Sequence, residues 1–164
     1  MPEKKTMQRA EQDKREGKSA STQAGEFVKE QIDKIRSGKH GARNAKQAIA
    51  IGLSEARRAG VPLKPPAPGK TSEKTRRSAE SAYTKGQRHE PVSKTRSQAR
   101  EKALKKEGTT AASHQALSKQ AKSAAQNRSA ADRSAAAKKA VRTKGPAERS
   151  AAAKKAARTR AKAG

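Results

Sequence analysis

Large apolar side chains are scarce in this chain, and that scarcity limits what it can fold into more than any other property. There is one Phe (Phe27), one Tyr (Tyr83) and no Trp, and many of the 30% hydrophobic residues are alanine. Against them stand 41 Lys and Arg and 15 Asp and Glu, a formal net charge of +26 over 164 residues. Chain entropy opposes folding at every residue, and few side chains here bury enough area to offset it. The composition therefore predicts one small apolar cluster, with the remaining chain disordered or held as isolated helix.

Nearly all the large aliphatic residues fall in residues 19–61, and their spacing predicts two helices. In the first, Ala24, Val28, Ile32 and Ile35 recur at helical intervals beside Phe27 and Gln31. Ser21 or Thr22 is suited to cap its start, and Gly38 to end it. In the second, Asn44 and Gln47 have the spacing of a capping box, and Ile49, Leu53 and Ala56 form a stripe flanked by Ala48, Ile51 and Ala59. Gly60 and Pro62 stop it. The short 38–43 loop folds the two back as an antiparallel pair, and Phe27 is the expected anchor of its core.

The expected fold class is thus mostly α: a small two-helix hairpin plus a largely disordered or conditionally helical basic tail. The divisions are a disordered segment (1–18), the hairpin (19–61), a Pro-rich linker with a charged segment (62–108), and an Ala/Lys/Arg tail (109–164). A hairpin of this size is marginal alone. A loose hairpin, a homodimeric four-helix arrangement through residues 19–61, or a hairpin completed by a partner is expected.

Charge is placed unevenly. Residues 1–61 carry 14 basic and 8 acidic side chains, and residues 62–164 carry 27 and 7. Within the tail, Ala131–Lys144 recurs sixteen residues later as Ala147–Arg160. Arg133, Lys138, Lys139, Arg142 and Lys144 correspond to Arg149, Lys154, Lys155, Arg158 and Arg160, and acidic Asp132 corresponds to Glu148. Gly145-Pro146 separates the units, and Pro146 suits a first helical turn. Alanine favours helix while like charges three and four apart oppose it. The tail is therefore expected to become helical on binding a polyanion.

Charge of this size and sign draws in polyanions. Membranes fit poorly, because a surface-binding helix needs a bulky apolar face. Nucleic acid fits better, with duplex DNA favoured and RNA or ribosome association the rival. Without aromatic platforms or a rigid reading head, the tail grips phosphate and reads no sequence. Bound through about 8–10 contacts, it predicts a slope of log K against log salt of roughly −7 to −9. Lys39, Arg43, Arg57 and Arg58 in the hairpin are further candidates, as are Arg133-Ser134 and Arg149-Ser150 for phosphorylation. A reading from another class is a protein-interaction module, in a plasmid-maintenance setting, whose tail only raises local concentration.

Enzyme chemistry finds no support. Gly17-Lys18-Ser19 and Gly69-Lys70-Thr71 resemble the end of a phosphate-binding loop, but Gln12 and Lys64 stand where its first glycine is needed. There is no cysteine, and His40, His89 and His114 are widely separated. No catalytic set, metal site or cofactor is expected. The charged amino terminus and the lack of a long apolar run predict a cytoplasmic protein.

Two resemblances accompany this reading. Residues 1–63, through Glu3-Lys4-Lys5-Thr6, the 21–27 segment, Gly38-Lys39-His40-Gly41 and the 46–60 segment, resemble an uncharacterised family of short basic bacterial proteins. Its members are sometimes labelled DNA-binding or plasmid stabilisation proteins. Residues 109–164 resemble, in composition, the tails of linker histones and bacterial histone-like proteins. Together they imply a bacterial, nucleoid-associated protein with a helical module and a histone-like tail.

Overall fold

The computed structural model of the chain describes residues 2–143 and 145–163. Among them it contains α1 (Lys4–Arg15), α2 (Ala20–Arg36), α3 (Ala45–Arg58), α4 (Glu73–Gln87) and α5 (Lys94–Leu104). A 3₁₀ turn (Thr110–Ala112) follows, then α6 (His114–Gln126), α7 (Ala130–Thr143) and α8 (Pro146–Ala163). Internal packing divides the chain into two units, residues 1–120 and 121–164, with the division falling inside α6.

The expected pair is present as α2 and α3, and Phe27 and Ile35 are fully buried in it. It is not a hairpin standing alone. In the first unit α1 packs on α2, α4 packs on α3, and the 3₁₀ turn touches both central helices. Residues 1–18, expected to be disordered, and the tail at 109–164, expected to be largely disordered or conditionally helical, are largely helical instead, as is much of 73–104, so neither the two-helix hairpin nor the disordered tail holds.

The reason for the first correction is that small residues build this core. The buried stripe of α3 is Ala45, Ala48, Gly52 and Ala56, while Ile49 and Leu53 beside it are half-buried. A Cβ on Gly52 would lie 2.6 Å from the Val28 Cα, so α2 and α3 approach backbone to backbone. α4 docks through Ala79, Ala82 and Gly86, with Gly86 pressed on the Arg57 carbonyl. α1 docks through Thr6, Ala10 and Asp13, one residue per turn on one face. Close approach replaces bulk, because dispersion depends on how many atoms meet and alanine lets whole helices meet.

Two clusters result. Ala10, Ala24, Phe27, Ala56 and Val61 form one, and Ile35, Ala42, Ala48, Ala111 and Ala112 the other. The second is closed by long-range bonds: the Arg36 Nε–H donates to the Ala112 carbonyl (2.9 Å), and the Gly41 and Ala42 N–H groups donate to Leu104 and Gly108 (2.9 and 3.0 Å). Segments of the same chain thus add burial to α2 and α3.

Local signals fare well. Asn44 Oδ1 accepts the Gln47 N–H (2.9 Å), and the Gln47 side chain accepts the Arg43 N–H (2.7 Å). Gly38 and Gly60 follow α2 and α3 with φ of 73° and 89°, the left-handed conformation that glycine adopts without strain. The first cap of α2 is Ser19 instead of Ser21 or Thr22.

In the second unit, propensity outweighs repulsion and α7 and α8 are helices. Ser129 Oγ accepts the Asp132 N–H (3.0 Å) and donates to the Asp132 carboxylate (2.8 Å), a cap at the start of α7. Pro146 opens α8, with Glu148 in its first turn where the helix dipole favours an anion.

Candidate nucleic-acid interface

Every described residue from Ala124 to Arg142 and from Gly145 to Ala161 is exposed. α7 and α8 thus offer their whole circumference, and the repeat decides what each side carries. At about 100° per residue, Arg133 lies on one edge of α7, and Lys138 and Arg142 lie roughly opposite. Ala130, Ser134, Ala137 and Val141 form the strip between these edges, and Asp132 sits on the reverse side. The sixteen-residue repeat reproduces the pattern in α8. There Arg149 and Arg160 form one edge, Lys154 and Arg158 the other, with Ser150, Ala153 and Ala157 between, while Lys155 lies behind beside Glu148, as Lys139 lies beside Asp132 in α7.

Among the described residues no carboxylate lies within ion-pair distance of Arg133, Lys138, Arg142, Arg149, Lys154, Lys155, Arg158 or Arg160. Lys139 is described and exposed, and Lys144 lies outside the described residues. The unit holds 13 basic and 2 acidic residues, so it has few internal anions to offer.

The four candidates of the first unit behave differently. Lys39 pairs with Glu3 (3.5 Å) and Arg43 with Glu107 (3.8 Å). Arg57 is buried, and its Nε–H donates to the Leu63 carbonyl (3.1 Å), drawing the proline-rich segment onto α3. That burial pushes its guanidinium below the ordinary value. Arg58 is half-buried at the surface. Lys39 and Arg43 precede α3 while Arg57 and Arg58 end it, about 20 Å along the helix, so the four do not converge.

The buried polar groups serve the fold. Burial drives the Glu30 carboxyl up, but hydrogen bonds from Lys34, Thr6 and the Glu3 N–H overcome it and hold the carboxyl below its usual range. Glu55, accepting from the Gln31 amide (2.6 Å), is pushed up by burial. His40 lies with Nε2 3.0 Å from Gln31 Oε1 and Nδ1 3.0 Å from the Gly41 carbonyl. No group of three His, Cys, Asp or Glu able to hold a metal occurs among the described residues. Among them, too, no helix is long and apolar enough to cross a membrane.

Residues 11–66 match a family of unknown function, DUF6496. The match covers about a third of the chain, takes in α2 and α3, and ends before α4. No curated protein matches the chain, and no solved structure does. The resemblance of the amino-terminal part to an uncharacterised family thus has a counterpart, while α7 and α8 lie outside the matched segment.

Proposed function

We propose that this chain is a non-enzymatic protein that binds duplex DNA without regard to sequence, chiefly through α7 and α8, and compacts or bridges the DNA of a bacterial nucleoid. The observation that carries the proposal is the register of the cations. Two basic edges flank a neutral strip on a fully exposed helix, and the one acidic residue of each repeat is on the far side.

A helix with its side chains is about 10–12 Å across, and the major groove of B-form DNA is about 12 Å wide. A helix lying there has phosphates on both flanks, where the basic edges are, and turns its neutral strip to the base edges. Ala, Ser and Val lack the bidentate groups that tell bases apart, so contact there discriminates little. The deep, narrow major groove of A-form RNA does not admit such a helix. Duplex DNA is therefore preferred to duplex RNA, and two helices per chain can engage two stretches of DNA.

Salt titration of the full chain on two unrelated DNA duplexes and one RNA duplex tests this. The expected slope is roughly −7 to −9 on DNA, and the two DNA sequences should agree within about threefold. A flat salt response, or RNA bound as tightly as DNA at matched salt, overturns the proposal.

A further inference from the structure

Only three large apolar side chains are strongly exposed among the described residues, and two of them, Met7 and Val92, line the same cleft. The cleft has a volume of about 390 Å³ and belongs wholly to the first unit. One wall comes from α1 and α3, the other from the end of α4, the 90–93 segment and α5.

Its charge is lopsided. Arg58, Lys85, Arg96 and Arg100 line it, and among the described residues none of the four side chains has a hydrogen bond or an ion pair. The two carboxylates that also line it are engaged elsewhere: Glu90 with Arg88 (3.9 Å) and Glu55 with the Gln31 amide. A cleft of about 360 Å³ between α1 and α2 makes the contrast, because four of its five cations, Arg9, Lys29, Lys34 and Lys39, are each paired with a carboxylate, Lys5 being the exception.

α5 is the second peculiarity. This helical strap has no buried residue, and its last carbonyl, Leu104, accepts the Gly41 N–H (2.9 Å). Arg96 and Arg100 lie one turn apart on it, toward the cleft, and among the described residues neither guanidinium has a partner in the fold.

We propose that this cleft is a binding site for a small amphiphilic anion: an aliphatic body between Met7 and Val92, with its acidic head held by Arg58, Arg96 and Arg100. The volume falls in the range of small-molecule sites, about 300–1,000 Å³, which are mostly apolar with a few convergent polar groups. Guanidinium groups suit the head because their fork matches a carboxylate or phosphate in two bonds. A neutral lipid-like molecule would leave the cations unmatched, and a simple anion would leave Met7 and Val92 wet.

The test is methyl NMR of the full chain, following Met7, Val92 and, as an internal control, Val141, during titration with sodium decanoate. Decyltrimethylammonium, whose head has the opposite charge, and acetate, which lacks the body, serve as contrasting probes, and phosphatidylglycerol vesicles as a lipid surface. Saturable shifts of Met7 and Val92 with decanoate alone are expected. Arg96→Gln with Arg100→Gln should weaken them about tenfold or more, with the backbone amide spectrum of the first unit unchanged. Val92→Asp, at an exposed position, should abolish them. Equal binding of decyltrimethylammonium or acetate, equal shifts at Val141, indifference to both variants, or arginine-dependent vesicle binding without binding of free decanoate would each overturn the assignment.

Discussion

The alanines of α3 and those of α7 and α8 are the same side chain put to opposite uses. Ala45, Ala48 and Ala56 are buried, and Gly52 among them lets α2 come within backbone contact. Ala135, Ala136, Ala151 and Ala152 are exposed. The difference lies in where cations fall around each helix. In α3, Lys46, Arg57 and Arg58 leave an arc of roughly 240° free of positive charge, ample for a packing face. In α7 and α8 the widest arcs free of positive charge are about 140° and 120°, so a packing face of about 100° there would carry Lys or Arg at both margins. Alanine supplies helix in both units, and the register of Lys and Arg decides whether that helix packs or stays open.

Disposal of charge follows the same division. In the first unit every acidic side chain except Glu55 lies within ion-pair distance of a Lys or Arg. That unit holds 28 basic and 13 acidic residues over 120 positions, against 13 and 2 over 44 in the second. The second unit has about twice the net charge per residue.

The largest effect should come from removing that excess. Changing Arg133, Lys138, Arg142, Arg149, Lys154, Lys155, Arg158 and Arg160 to Gln in the full chain should lower DNA affinity about 10³-fold near physiological salt. The salt slope should lose roughly 7. Eight Lys→Gln changes on the first unit, at Lys4, Lys5, Lys14, Lys46, Lys64, Lys70, Lys74 and Lys119, should lower it far less. Equal losses in the two titrations would erase the distinction between the units.

Next comes one substitution made in both places. Ala48→Leu overfills a fully buried site and should cost about 3 kcal/mol in chemical denaturation. Ala152→Leu, on exposed α8, should change stability by less than about 0.5 kcal/mol. A costly Ala152→Leu would mean that α8 packs after all.

Acid sharpens the contrast further. The folded pKa of Glu30 lies below its ordinary 4.5, so its contribution is complete above that value and drains away as pH falls through the folded pKa. Glu30→Gln should therefore cost about 2 kcal/mol at pH 7 and progressively less in acid. Glu55, whose pKa is raised, has the opposite sign: its contribution is present below 4.5 and lost as pH rises. Glu55→Gln should stabilise the first unit at neutral pH. Thermal melts of both variants across pH 3–7 read the two slopes.

The smallest effect is local. Ser129→Ala removes the cap of α7 and should cost that helix about 1 kcal/mol, seen as faster amide exchange in its first turn with the first unit unaltered.

By itself the sequence determined the helical pair at Phe27 and Ile35, the Asn44 cap, the glycine stops and the sixteen-residue basic repeat. Each depends on neighbours within a turn or two, and periodicity and propensity report those directly. Tertiary structure alone decided that Thr6, Ala10 and Asp13 would dock α1, that Ala111 and Ala112 would close the far cluster, and that Arg57 would turn inward while Arg58 kept the surface. Small residues have no strong preference for burial until a partner helix arrives, and that partner is chosen by contacts as distant as Arg36 with Ala112. An alanine in this chain becomes core or surface according to what the fold brings against it.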